Sequence, residues 1–225
     1  MTAEIALHGA RVRYGPLEAL HGVTLAAPAR TLTVLLGRNG SGRTTVLRAL
    51  AGTVPLSGGR VVWRGADVTR LRPHARARRG LCCVPSPRAT YDSLTVAENL
   101  ELAAGGRDFG AALDAYPELA PLLARRAGTL SGGERRMLAL CRPLLAPARV
   151  VLVDEPVLGM SPAVAARTYA LLRALDAAVV VAGQRLPPGP ADRTVVYGLR
   201  RGTVAFAGEP GELRAGPTPS WSPSG

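Results

Sequence analysis

The sequence predicts an α/β fold around a parallel sheet, on three observations. Continuous apolar, largely β-branched runs at 31–36 (TLTVLL), 150–153 (VVLV) and 178–181 (AVVV) have the length and composition of strands buried on both faces. Stretches with helical spacing, at 44–50 and 162–175, fall between them, the alternation that parallel pairing requires. A glycine-rich turn at 37–45 joins the first run to its helix. A length of 225 residues suits one domain with a small subdomain. At 47% hydrophobic residues the chain can bury a core, and no apolar run approaches the ~20 residues needed to cross a bilayer. The opening MTAEIAL has no basic cluster followed by an apolar stretch, so no secretory signal is expected and the protein is expected in the cytosol.

Taken in order, residues 4–25 read as an antiparallel edge, with strands at 10–14 and 23–25 around a Gly15-Pro16 turn. After the first central strand and its helix, a strand at 60–63 closes at Gly65-Ala66-Asp67. Residues 71–79 form an arginine-rich helix with Pro73 in its first turn, stopped by Gly80. A strand at 80–84 meets Pro85-Ser86-Pro87, a rigid turn that can continue neither sheet nor helix. Residues 95–128 are rich in Ala and Leu and interrupted at Gly105-Gly106 and Pro117, which predicts a helical subdomain inserted at about 88–130. Pro143 is expected to kink or end the helix in which it lies. Strands at 193–197 and 203–206 form a hairpin across 198–202, and the Pro/Ser/Gly tail at 216–225 is expected to be disordered.

Two clusters carry chemistry. Gly37-Arg38-Asn39-Gly40-Ser41-Gly42-Arg43-Thr44-Thr45 matches the phosphate-loop pattern at every fixed position except its lysine, which is Arg43. Without Cβ atoms the backbone can wrap so that successive N–H groups face phosphate oxygens at a helix N-terminus. Thr44 offers a hydroxyl to Mg²⁺. Arg43 keeps the charge of a lysine but not its shape, because guanidinium is wide, planar and forked; weak turnover is the expected consequence. The strand at 150–153 ends in Asp154-Glu155-Pro156, where parallel sheets place ligands. Asp154 is read as the carboxylate on the magnesium side and Glu155 as the group that polarises attacking water. Upstream, Leu130-Ser131-Gly132-Gly133-Glu134 opens a helix with an S-x-x-E capping box. The same capped end leaves backbone donors for a phosphate brought by a neighbouring chain.

The charge balance adds little. All 28 basic residues are arginine and the net charge is +12, which suits nucleic acid, anionic lipid or an acidic partner surface alike. Arginines 70, 72, 76, 78, 79 and 88 form the densest cluster and are expected on a solvated face. Cys82, Cys83 and Cys141 lack metal-ligand or disulfide spacing and are expected to be reduced and mostly buried.

The phosphate loop, LSGGE and LVDEP, in this order and spacing, resemble the ATP-binding subunits of ABC transporters over residues 3–214. The segments ALHGV (19–23), Pro73-His74, LTVAENL (94–100), MLA (137–139) and LGMSP (158–162) are most similar to the branched-chain amino acid importers. The resemblance implies a P-loop NTPase fold of the ABC type and hydrolysis of ATP with Mg²⁺. It also implies a head-to-tail homodimer, or a heterodimer with a related subunit, in which each phosphate loop faces the other chain's signature. Integral-membrane permease subunits, a place on the inner face of the membrane and no nucleic-acid partner follow from it as well. By position Tyr14 stacks on adenine, Ser86 stands where the family usually has a metal-side Gln or Glu, and Gln184 stands at the switch-histidine position. Pro187, Pro188 and Pro190 replace the family's short helix there, predicting an extended loop. Arg43 and Ser86 leave open a degenerate module that binds ATP with little hydrolysis.

Overall fold

The computed structural model describes residues 3–86, 89–190 and 192–215; the expected tail and Arg88 lie outside them. β1 (Ala3–Tyr14) and β2 (Leu17–Pro28) pair antiparallel and are longer than the alternation predicts. Their register slips between Leu7 and Ala10, between Ala10 and Arg11 and between Val12 and Arg13, so bulges erase the period-two pattern without ending the strands. With β4 (Gly58–Trp63) and β5 (Ala66–Asp67) they make a four-stranded sheet in the order β2-β1-β4-β5.

The second sheet has the order β10-β9-β3-β8-β7-β6. Its members β3 (Leu32–Leu36), β6 (Leu81–Val84), β7 (Val150–Asp154), β8 (Ala178–Gly183) and β9 (Thr194–Arg200) run parallel, and β10 (Thr203–Gly208) is antiparallel to β9. The last hairpin is tighter than expected. β9 runs on through Arg200, and Arg201 and Gly202, both with positive φ (47° and 74°), make a two-residue turn.

The central strands are apolar throughout because both faces are covered. Val151, Val153, Val179 and Val181 pack with α3 (Val96–Ala104), α5 (Gly132–Leu140) and α7 (Pro162–Ala174) on one face. Leu152, Val180 and Leu35 pack on the other with α1 (Arg43–Ala51) and the four-stranded sheet. Leu100 of α3, Ala112 of α4 (Gly110–Ala115) and Leu119 belong to the first of these cores, so the inserted helices share the sheet's core rather than enclosing their own. As Pro143 predicts, α5 ends at Leu140 and a short α6 (Arg142–Leu145) restarts with the proline in its first turn. Residues 184–190 carry no helix.

The expected arginine face is partly wrong. Arg70, Arg72, Arg78 and Arg79 are exposed, but Arg76, in α2 (Pro73–Arg78), is 1% exposed. Its Nη1 donates to the Ala49 and Leu50 carbonyls (2.9 and 2.6 Å), Nη2 to those of Val68 and Thr69 (2.8 and 3.0 Å), and Nε to that of Leu71 (3.1 Å). At the end of α1 the guanidinium thus supplies a donor to the Leu50 carbonyl and adds a second to that of Ala49, which the Gly52 N–H also reaches (3.1 Å). Burial lowers its pKa. Gly52, the left-handed cap of α1 at φ 74°, lies so close that a Cβ there would stand 2.8 Å from that guanidinium. The thiols are free as expected, but only Cys141 is fully buried; Cys82 and Cys83 are half-buried.

Candidate functional site

The sheet register assembles the site. Leu36 stands opposite Gly183 on β8, and Ala182 opposite Asp154 on β7, so the loop at 37–45, Gln184 and Glu155 leave the sheet at one level of its C-terminal edge. Two glycines are sterically required in that loop. A Cβ on Gly37 would lie 2.4 Å from Ser41 Oγ and 2.6 Å from the Leu199 carbonyl, and one on Gly42, whose φ is 103°, would lie 2.9 Å from Leu20. Gly202 N–H donates to the Ser41 carbonyl (2.9 Å) and Val46 N–H to that of Gly42 (2.9 Å), which hold the loop's shape. The N–H groups of Gly40, Gly42, Arg43, Thr44 and Thr45 find no acceptor among the described residues. Ser41 Oγ is buried and unpartnered. Such a row of convergent donors fits an anion.

A cavity of about 690 Å³ opens over this loop, lined by Tyr14, Asn39 to Thr45, Ser86, Asp154 and Glu155. Gly37 is buried beneath the loop, and Arg38 is exposed. Gln184 reaches the site through Asn39, donating from Nε2 to Asn39 Oδ1 (3.1 Å). Sequence reasoning missed Leu17, His21 and Arg201, which also line the cavity. They come from β2 and from the turn before β10, segments whose proximity only the fold reveals.

Arg43 is the least expected feature. Its side chain is 7% exposed and lies within the chain: Nη1 stands 3.0 Å from Glu155 Oε1, and Nη2 donates to Asn39 Oδ1 at 3.4 Å. Nη1 has no well-aligned acceptor, so the contact with Glu155 is an ion pair more than a hydrogen bond. Glu155 itself adopts φ 49°, a left-handed conformation uncommon for a side chain with a Cβ. That turn is how two successive residues both reach the cavity. Beside them Thr44 Oγ1 donates to Asp154 Oδ2 (2.9 Å). A hydroxyl and a carboxylate oxygen in contact are hard donors of the kind that hold Mg²⁺ together with phosphate oxygens, so the residues present fit that ion.

The signature segment lies elsewhere. Leu130 is buried, and Ser131 and Glu134 close the predicted box: Glu134 N–H donates to Ser131 Oγ (3.2 Å) and Ser131 N–H to Glu134 Oε2 (2.8 Å). The N–H held by Glu134 keeps its carboxyl below the ordinary value. Around Gly132 a Cβ would meet nothing within 4 Å, whereas on Gly133 it would lie 2.6 Å from the Gly159 carbonyl. None of the five signature residues lines the chain's own cavity. On the next turn Arg136, 6% exposed, donates from Nη1 to the Pro85 carbonyl (2.9 Å), from Nε to that of Pro156 (3.4 Å) and from Nη2 to that of Asp154. Burial brings its pKa down to about 10, against the opposing pull of the nearby Asp154 and Glu155 charges. Neither Arg136 nor Arg76 is legible in sequence, because an arginine reads alike whether it meets water or carbonyls.

The ABC transporter family model matches residues 20–158, which contain the phosphate loop, signature and acid pair. A probable branched-chain amino acid transport ATP-binding protein, LivF of Archaeoglobus fulgidus, is 36% identical over 211 residues, 89% of each chain. The high-affinity branched-chain amino acid transport ATP-binding protein BraG of Pseudomonas aeruginosa is 34% identical over 72% of each. A sulfate/thiosulfate import ATP-binding protein, CysA of Mycobacterium bovis, is 33% identical over 96% of this chain and 64% of its own. Among solved structures, a nucleotide-free ATP-binding cassette from an ABC transporter superposes with a TM-score of 0.79 over 95% of this chain and 94% of its own, at 21% identity. The ATP-bound bacterial Atm1-family ABC exporter gives 0.82 over 95% and 40%, at 22%; both likenesses bear on the fold. The chain belongs to the ABC transporter family and has the fold of its ATP-binding cassettes.

Proposed function

We propose that this chain is the ATP-binding and ATP-hydrolysing subunit of an importer, and that it energises passage of amino acids, branched-chain ones foremost, through separate permease subunits. One observation carries the catalytic half: the unpaired N–H groups of Gly40 and of residues 42–45, the Thr44–Asp154 contact and Glu155 converge on one cavity. In this reading the loop at 37–45 binds the phosphates and Tyr14, 41% exposed at the rim, stacks on adenine. Glu155 accepts the proton of the attacking water, and Gln184, held by Asn39, hydrogen-bonds the terminal phosphate without changing charge. Mg²⁺ held by Thr44 and Asp154, with Ser86 near, would neutralise phosphate charge.

The site is completed by a second copy or a related subunit. Residues 130–134 do not line the cavity over the phosphate loop of their own chain, and a capped helix start beside the open Gly132 suits a phosphate carried by a neighbour. Relatives named as transport ATP-binding proteins support a permease partner and, with it, a place on the inner face of the membrane; no helix among the described residues is long and apolar enough to cross one. The boundaries 3–214, with a helical insert at about 88–130, belong to the same proposal.

A second reading is favoured by the Arg43–Glu155 pair. A carboxylate neutralised by the loop's own cation is a poor proton acceptor, so the chain could bind ATP and close with little hydrolysis. Steady-state ATPase assays on the wild type, Glu155→Gln and Arg43→Lys separate the two. A hydrolase loses most of its rate with Glu155→Gln and gains rate with Arg43→Lys. A rate indifferent to Glu155→Gln refutes the role given to Glu155, and no gain from Arg43→Lys makes the arginine a tolerated substitution.

A further inference from the structure

Glu155 holds a backbone conformation that its own side chain disfavours, with φ at 49°, and the contacts that impose it can be named. Its N–H donates to the Ala182 carbonyl at 2.9 Å. The carbonyls on either side of it, of Asp154 and Pro156, are both taken by the one guanidinium of Arg136. The same group binds the Pro85 carbonyl at 2.9 Å, one residue before Ser86. These acceptors lie at or just past the C-terminal ends of β6 and β7, where the ladder no longer satisfies them. A planar fork with several fixed N–H directions can meet three carbonyls from two strand ends; an amide or an ammonium cannot cover all three in one plane.

We infer that Arg136 is a positioning residue for hydrolysis, holding Glu155 in its left-handed turn, and with it the carboxylate over the phosphate cavity, through the carbonyls of Asp154 and Pro156. This rests on the reading of Glu155 as the water-polarising group. Arg136 touches no residue of the phosphate loop in the hydrogen bonds described, so its loss should spare nucleotide binding and strike the chemical step. It also stands five residues beyond Ser131, on the helix that the signature opens. A shift of that helix under a neighbouring chain would therefore be transmitted to the peptide of Glu155.

The experiment compares wild type, Arg136→Gln and Arg136→Lys by two readouts. The first is ATPase rate per nucleotide-binding site, with sites counted by titration with a fluorescent ADP analogue. The expected result for Arg136→Gln is a fall in kcat of about tenfold to a hundredfold, nucleotide affinity within about twofold of wild type, and partial recovery in Arg136→Lys. The second readout is hydrogen exchange at the Glu155 amide, which should quicken in Arg136→Gln at a temperature where the sheet amides of β8 stay protected. A merely structural role would lower the number of binding sites and leave the rate per site intact, and that outcome overturns the inference. Unchanged exchange at Glu155 in a folded Arg136→Gln protein overturns it as well. A wild type that binds nucleotide without hydrolysing it would instead sink the hydrolase reading, and the exchange readout still decides whether Arg136 holds the turn.

Discussion

Replacing Glu155 with Gln should tighten nucleotide binding, and the gain should depend on Arg43. The two groups stand 3.0 Å apart, with 7% and 28% of their side chains exposed. At an effective dielectric of about 20, Coulomb's law gives roughly 5 kcal/mol of gross attraction at that distance. Desolvation offsets most of it, and a charged contact keeps about 1.5–3 kcal/mol net when well aligned. Nη1 lacks an aligned acceptor, so the lower end applies, about 1.5 kcal/mol. A phosphate that recruits Arg43 must first break this pair, and removing the carboxylate spares that cost, which corresponds to about tenfold in Kd. The assay is titration with a fluorescent ADP analogue, which avoids both hydrolysis and ATP-driven pairing of subunits. In an Arg43→Met background the same Glu155→Gln change should give almost no gain. An equal gain in both backgrounds would mean that Glu155 merely repels phosphate, and the ion pair would then have no part in gating the site.

Other consequences follow from the buried arginine and the capped helices. Arg76→Met takes the donor from the Leu50, Thr69 and Leu71 carbonyls, while those of Ala49 and Val68 keep the N–H groups of Gly52 and Leu71; it should cost about 3–5 kcal/mol in urea unfolding, while Arg78→Met on the exposed side of the same helix should cost under about 0.5, and similar midpoints for the two variants would contradict the assignment. Ser131→Ala removes the side-chain acceptor for Glu134 N–H and should cost about 1 kcal/mol, a loss readable as a lower melting temperature. The carboxyls of Glu98 and Glu134 lie below their ordinary value of 4.5 because each accepts a backbone N–H, from Thr95 and Ser131 respectively. Their contribution is therefore full above that value and lost as pH falls through the lowered folded-state pKa. Wild type should lose more stability than the Glu98→Gln/Glu134→Gln variant between about pH 5 and pH 3, and parallel melting curves across that range would refute the linkage.

What the sequence disclosed and what it withheld divide along physical lines. Strands buried on both faces announce themselves as unbroken apolar runs, so β3, β7 and β8 and the site at their ends were legible from residues alone. The phosphate loop is equally plain, because Gly37 is dictated by a 2.6 Å approach to the Leu199 carbonyl and Gly42 by its φ of 103°. β1 and β2 were underestimated, since each bulge shifts the side-chain alternation by which a strand is recognised. The direction of a long side chain was hidden. Arg43 stands at the one fixed position where the phosphate-loop motif is not matched, and its partner Glu155 is supplied by the end of a strand far along the chain. Arg76 sits in a run that reads as a solvated face and instead closes the end of α1. Arg136 follows the signature by a turn of helix and meets carbonyls of two other strand ends. In each case the deciding contact is non-local.

Calorimetric titration of Mg-ATP into the folded wild-type chain, beside Gly42→Val, tests the central claim most directly. Saturable heat at about one site per chain, abolished in a folded Gly42→Val whose new side chain collides with Leu20, is the result expected of main-chain N–H groups that grip phosphate. Absence of heat from folded wild type, or equal heat from the valine variant, would contradict it.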